Sequence, residues 1–223
     1  MIVRALCEKL GYTFKDIKLL ETALTHPSFG GDHHVPHYQR LEFLGDAVLE
    51  LAISRYLFFE LPEIDEGKLT RIRAGIVREE TLSAAARRMD LGKYVRLSVG
   101  EQRSGGRNKP SILCDVMEAV LAAVYLDGGF DCAVKVIERA LGDDLRPDAL
   151  EDHLDAKSRL QEILQRNGEM PKYEFVSMEG PPHAPQFCYR VVCNNQVLAE
   201  GRGTSKQNAQ QAAARDALKR MGA

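Results

Sequence analysis

Residues 37 to 51 read HYQRLEFLGDAVLEL, an apolar run with helical spacing that carries Glu42 and Asp46 four positions apart, with Gly45 between them. A second run, Ser111 to Gly129, reads SILCDVMEAVLAAVYLDGG and carries Asp115 and Glu118 three positions apart. Residues three or four apart share one helix face. An acidic pair on an amphipathic helix is ordinarily a solvated face. Here Leu41, Phe43, Leu44, Val48 and Leu49 flank the first pair, and Val116, Ala119, Val120 and Ala123 the second. Both helices are therefore expected to be buried over most of their circumference. Ionised carboxylates in such surroundings need a partner or a metal. Four that converge make a site for a hard divalent cation, and octahedral oxygen ligation fits magnesium best.

The rest of the chain is arranged around these runs. From Ile2 to Leu145 apolar residues recur at three and four, which predicts helices nearly throughout. Turn chemistry interrupts them at His26-Pro27, from Gly30 to Pro36, at Leu61-Pro62 and at Gly105-Gly106. A polar stretch opening at Gly142-Asp143-Asp144 and running through Asp155 reads as a linker. Beyond it the character changes. Lys157 to Asn167 has helical spacing, whereas Tyr173 to Met178, Gln186 to Val192 and Gln196 to Gly203 read as short strands. Asn194-Asn195 suits a tight hairpin. Ser205 to Arg220, rich in alanine, predicts a closing helix.

Composition excludes several classes. With 44 % hydrophobic and 28 % charged residues the chain is ordinary for a globular protein. No apolar run approaches the roughly 20 residues that span a bilayer. Glu8 and Lys9 break the N-terminal apolar run, so it does not read as a secretory signal, and a cytoplasmic protein is expected. The five cysteines form no Cys-x-x-Cys pair, which argues against a disulfide framework or a zinc ribbon. Net charge is −2 overall, −3 for residues 1 to 150 and +1 for the remainder, so contact with a nucleic acid must rest on local geometry rather than on a strong basic field.

The stretch from Gln39 to Leu51 resembles the signature of the ribonuclease III family of double-stranded RNA endonucleases. Thr25-His26-Pro27-Ser28, Asp65-Glu66-Gly67, the Ser111 to Gly129 helix and the C-terminal module follow in the order of its bacterial members. The resemblance implies an all-α catalytic domain over residues 1–146, a linker over 147–154 and an α-β-β-β-α double-stranded RNA-binding domain over 155–223. It implies that Glu42, Asp115 and Glu118 ligate Mg2+, with Mn2+ as a substitute ion, and that Asp46 and Glu118 are most closely tied to catalysis. It further implies a homodimer, to which Phe43 contributes, and hydrolysis of both strands to 5′-phosphate and 3′-hydroxyl ends with a short 3′ overhang. The expected roles are ribosomal RNA precursor processing and turnover of structured messages. RNA-binding positions carry over to Gln161 and Glu162, to His183 in the loop Gly180-Pro181-Pro182-His183, and to Lys206.

Two departures stand out. Gln39 occupies the position where the family usually has another glutamate; it can hydrogen-bond a metal-bound water but brings no charge. The last helix begins Ser205-Lys206-Gln207-Asn208, with fewer cations than is usual, which predicts weaker and less salt-sensitive binding. Glu66 matches an acidic position near the site and the subunit interface. Other features are weaker. His33, His34 and His37 read as a surface loop, and Gly106 stands where a phosphate-binding P-loop requires lysine, so no nucleotide cofactor is expected. Arg103, Arg107 and Lys109 read either as RNA backbone contacts or as a solvated basic loop. Two other functions compete: a duplex-binding protein that has lost its chemistry, and a di-iron oxidoreductase. The latter needs Glu-x-x-His motifs, which neither Glu42 nor Glu118 begins.

Overall fold

The structure, a computed structural model, describes residues 2–146, 149–150, 156–180 and 185–222. It divides into two compact units, Met1–His153 and Leu154–Ala223. The linker expected over 147–154 lies almost wholly outside the described residues.

The first unit is helical: α1 (Ile2–Leu10), α2 (Ile17–Ala23), α3 (Pro27–His33), α4 (Gln39–Glu60), α5 (Glu66–Val77), α6 (Glu79–Arg88), α7 (Val99–Arg103), α8 (Pro110–Gly128) and α9 (Phe130–Leu141). Helix α8 is its axis. Pro110 opens α8 at a position where its missing N–H breaks no helical bond. Every residue from Val116 to Val124 except Glu118 is buried, as are Ile112 to Cys114. Its alanines let neighbours approach, and α2, α4, α6 and α9 all pack on it. The crossing with α4 is the closest. A Cβ placed on Gly45 would lie 1.9 Å from the Glu118 carbonyl oxygen, so only glycine permits this approach. That contact sets the heights of Glu42 and Asp46 along α4 against Asp115 and Glu118 on α8.

Two expectations need correction here. Helix α3 occupies part of the Gly30 to Pro36 stretch, because Pro27 begins it and the His26 side chain caps it by accepting from the Ser28 N–H; the chain turns only at His34, in the left-handed region. Helix α4 is not buried over most of its circumference. Phe43 is 82 % exposed, and Leu51, Phe58 and Phe59 are exposed too. Phe43 therefore does not pack in the core. Together with Leu51 and Phe58 it forms an outward apolar stripe, since these positions fall within about a quarter-turn of one another.

The second unit is α10 (Ala156–Gln165), β1 (Lys172–Glu179), β2 (Gln186–Cys193), β3 (Gln196–Gly203) and α11 (Lys206–Met221). Its antiparallel sheet has the order β1-β2-β3. Asn194 and Asn195, with φ of +50° and +63°, make the two-residue turn that matches strand twist. Leu160, Leu164, Val191, Cys193, Ala199, Ala213, Ala214, Ala217 and Leu218 share one core. Gly201 brings β3 against α11 so tightly that an added Cβ would lie 2.0 Å from the Ala213 nitrogen.

Candidate active site and RNA-binding surface

The crossing of α4 and α8 gathers the four acids picked out in the sequence into one electrostatic neighbourhood. Burial pushes the Glu118 carboxyl up to about 7, and the charges of Asp46, Asp115 and Glu42 push in the same direction. Burial also raises Glu42, helped by Asp115 and Asp46. Asp115 is raised by burial as well, against the opposing pull of the Tyr38 hydroxyl and of His26. Asp46, by contrast, is exposed. Among the described residues none of the four is ion-paired with a lysine or arginine.

Their hydrogen bonds are few. The Tyr38 hydroxyl donates to Asp115 Oδ2 at 2.9 Å, and the Cys114 thiol donates to Glu118 Oε1 at 3.7 Å. Burial raises the pKa of this thiol, which keeps it protonated beside the acid. Among the described residues no three His, Cys, Asp or Glu side chains stand close enough to cage a metal without adjustment. The donor set nevertheless fits a hard dication. It is all carboxylate oxygen, it repels itself, and among the described residues no lysine or arginine pairs with it.

Other expected residues lie further out. Gln39 is exposed at the first position of α4. Glu66 is exposed at the start of α5, where its carboxylate accepts from the Thr70 hydroxyl at 3.0 Å, and it is not among the groups that perturb Glu42, Asp115 or Glu118. Of the basic loop, Arg107 fits neither reading made from the sequence. Its guanidinium donates to the carbonyls of Gly92 and Val95, both at 2.8 Å, and so holds the preceding turn in place. Lys109 is ion-paired with Glu101 at 2.6 Å. Arg103 is exposed at the end of α7.

In the second unit Gln161 and Glu162 are exposed on α10, opposite the buried Leu160 and Leu164. Lys206 is exposed at the first position of α11, whose cap, Ser205, accepts from the Asn208 N–H at 3.1 Å. That end of a helix attracts phosphate. His183 lies outside the described residues.

Residues 16–145 match the Ribonuclease-III-like family, and residues 156–221 match the double-stranded RNA binding motif. The chain belongs to the ribonuclease III family. Ribonuclease 3 of Clostridium acetobutylicum is 46 % identical over 222 residues, covering 98 % of this chain and 96 % of that protein. Ribonuclease 3 of Enterococcus faecalis is 44 % identical over 216 residues, 95 % of this chain and 94 % of its own length. Among solved structures, the nuclease domain of ribonuclease III from Campylobacter jejuni superposes with a TM-score of 0.61 at 40 % identity, covering 64 % of this chain and 98 % of that domain. This ribonuclease III family member is an endoribonuclease that acts on double-stranded RNA, with a helical nuclease domain followed by a double-stranded RNA-binding domain.

Sequence reasoning missed Tyr38 and Cys114, whose side chains hydrogen-bond Asp115 and Glu118. Cys114 had a local signal, four residues before Glu118 on the same face. Tyr38 is 77 residues from its partner, and nothing local to it names Asp115.

Proposed function

We propose that this ribonuclease III family member is a magnesium-dependent endonuclease that hydrolyses both strands of an RNA duplex to 5′-phosphate and 3′-hydroxyl ends with a short 3′ overhang. The observation that carries the reading is the Glu118 carboxyl, raised to about 7 by burial and by three neighbouring acids, none of which pairs with a lysine or arginine among the described residues. Glu42, Asp115 and Glu118 would hold the ion, and Mn2+ would substitute for Mg2+. The bound ion supplies charge neutralisation on the phosphoryl oxygens and acidifies water.

The chain's own residues do the rest. Glu118 holds its proton up to about 7 and would have to give it up to serve as a ligand, so occupancy of the site would be favoured as pH rises through about 7. Asp46, exposed and one helical turn beyond Glu42, accepts a hydrogen bond from the attacking water and takes its proton. Cutting both strands calls for two sites, which a symmetric homodimer provides. The Phe43, Leu51 and Phe58 stripe is the apolar surface that supports such a contact. The related Campylobacter jejuni structure is described by a region involved in dimer formation of its nuclease domain. Residues 1–146 would then be the catalytic domain, 147–154 the linker and 155–223 the duplex reader, with Gln161, Glu162, His183 and Lys206 on the RNA. Among the described residues no helix is long and apolar enough to cross a membrane. A cytoplasmic role in ribosomal RNA precursor processing and structured message turnover completes the reading.

The test is cleavage of an end-labelled duplex with and without Mg2+, comparing the natural chain with Glu118→Gln. Cleavage of both strands is expected only with the metal, with a loss on the order of a thousandfold in the variant, equivalent to several kcal/mol of lost transition-state stabilisation. A natural chain that shifts the duplex on a gel but cuts it under no divalent ion would establish the binding protein without chemistry, and Gln39→Glu would be the first change to restore activity.

A further inference from the structure

The segment Thr25-His26-Pro27-Ser28 takes no step in the chemistry above, yet it builds the seat of a residue that touches one of the acids. The Thr25 carbonyl accepts from the Tyr38 N–H at 2.9 Å. The His26 ring meets the Tyr38 ring edge-on, with centroids 5.6 Å apart. His26 is itself held, because its Nδ1 accepts from the Ser28 N–H at 3.0 Å, while the Ser28 hydroxyl oxygen accepts from the Ser98 N–H at 3.1 Å. Tyr38 caps α4, its carbonyl accepting from the Leu41 and Glu42 N–H groups, and the residue is 2 % exposed. Its ring therefore has one place to lie. From there its hydroxyl donates to Asp115 Oδ2.

A phenylalanine would fill the same space. A buried hydroxyl costs free energy unless it is hydrogen-bonded, and the bond found here is to Asp115. The terminal torsion of an aspartate is broad and two-fold, so an unrestrained carboxylate presents either oxygen over a wide range of angles. A donor fixed on Oδ2 selects one orientation and so fixes where the other oxygen, Oδ1, lies.

We infer that Tyr38 is a positioning residue: held by the Thr25–Ser28 segment, it orients the Asp115 carboxylate so that Oδ1 is presented to the divalent cation. The inference rests on the reading of Asp115 as a metal ligand. Hydrogen-bond partners of ligating side chains typically change metal affinity or activity ten- to a hundredfold when removed.

The experiment titrates Mn2+ alone into the full-length protein, reading free ion by electron paramagnetic resonance, for the natural chain, Asp115→Asn and Tyr38→Phe. Melting temperatures are recorded in chelator. Asp115→Asn is expected to abolish the tight binding. Tyr38→Phe is expected to raise the Mn2+ dissociation constant about tenfold with little change in metal-free melting, and to lose cleavage at low Mn2+ that excess Mn2+ restores. Natural-strength Mn2+ binding in Asp115→Asn would remove the ligand reading, and the inference with it. Loss of binding in Asp115→Asn but not in Tyr38→Phe would keep the ligand and overturn the positioning role. A Tyr38→Phe chain with a lower melting temperature and unaltered Mn2+ affinity would show a packing role only, and would overturn it equally.

Discussion

Glu118 in the nuclease unit and Glu174 in the RNA-binding unit both have charged neighbours, but of opposite sign. Glu174 lies at the surface of the sheet and meets Arg190 across the strands at 2.8 Å. Glu179 with Arg202, and Asp216 with Arg220 one turn along the last helix, are further exposed pairs, and among the described residues the unit's core contains no charged residue. Glu118 instead sits on the most buried helix of its unit, facing three more acids. Surface pairs of the first kind contribute little to stability, typically below about 1 kcal/mol, and leave shape and a few polar groups to meet the duplex. Acids of the second kind oppose folding, so the surrounding packing must hold them together. Recognition thus tolerates a soft surface, whereas the proposed hydrolytic site requires a stiff frame.

The sharpest way to break this contrast is at the glycine that makes the frame. Gly45→Ala puts a methyl group where the Glu118 carbonyl oxygen lies 1.9 Å away, so α4 and α8 must separate. Overpacking of this kind costs about 1–3 kcal/mol and occasionally more. Cleavage should disappear and the nuclease unit should melt earlier, while duplex binding by the second unit persists in a gel shift. Persistent cleavage would mean that the close crossing does not matter.

The second test uses the repulsion itself. In chelator, the folded chain holds the Glu118 proton up to about 7, against an ordinary value of 4.5. The folded-state pKa is raised, so this stabilisation is complete below about 4.5 and is lost as pH rises through about 7. Denaturant titrations should show the metal-free protein weakening by on the order of 2 kcal/mol between pH 5 and pH 8. Glu118→Gln should flatten that slope, and Mn2+ should restore stability at pH 8. A slope unaffected by the substitution would move the strain to another group.

Phe43→Ala tests the exposed stripe of α4. Burying one phenylalanine is worth about 1.5–3 kcal/mol, so the proposed homodimer, if built on this stripe, should dissociate roughly ten- to a hundredfold more readily in sedimentation, with the monomer fold intact. No change would place the contact elsewhere. The smallest effect belongs to the second unit. Lys206→Ala should weaken binding of all duplexes alike and lower the salt-dependence slope by about one unit. A change in sequence preference would contradict a backbone contact.

Local patterns were legible because they depend on spacing alone. Glu42 with Asp46 and Asp115 with Glu118 share helix faces whatever the rest of the chain does, and Asn194-Asn195 makes its turn from its own backbone preference. The sequence misled where one apolar letter stands for two fates. By spacing alone Phe43 reads like a core residue beside Leu41 and Leu44, and only the family resemblance gave it a subunit contact; it points outward. Arg107 reads like a solvated or RNA-facing cation, yet it is spent on two carbonyls 12 and 15 residues before it.

By itself the sequence determined which helices bear acids, that a helical unit precedes an α-β-β-β-α unit, and which family the motifs resemble, because helix period, strand alternation and turn chemistry are short-range. Only the tertiary structure decided that α4 crosses α8 at Gly45, that this crossing raises Glu118 to about 7, and that Tyr38 reaches Asp115 across 77 residues. Charge repulsion and hydrogen bonding act over a few ångströms of space, and distance along the chain does not measure that.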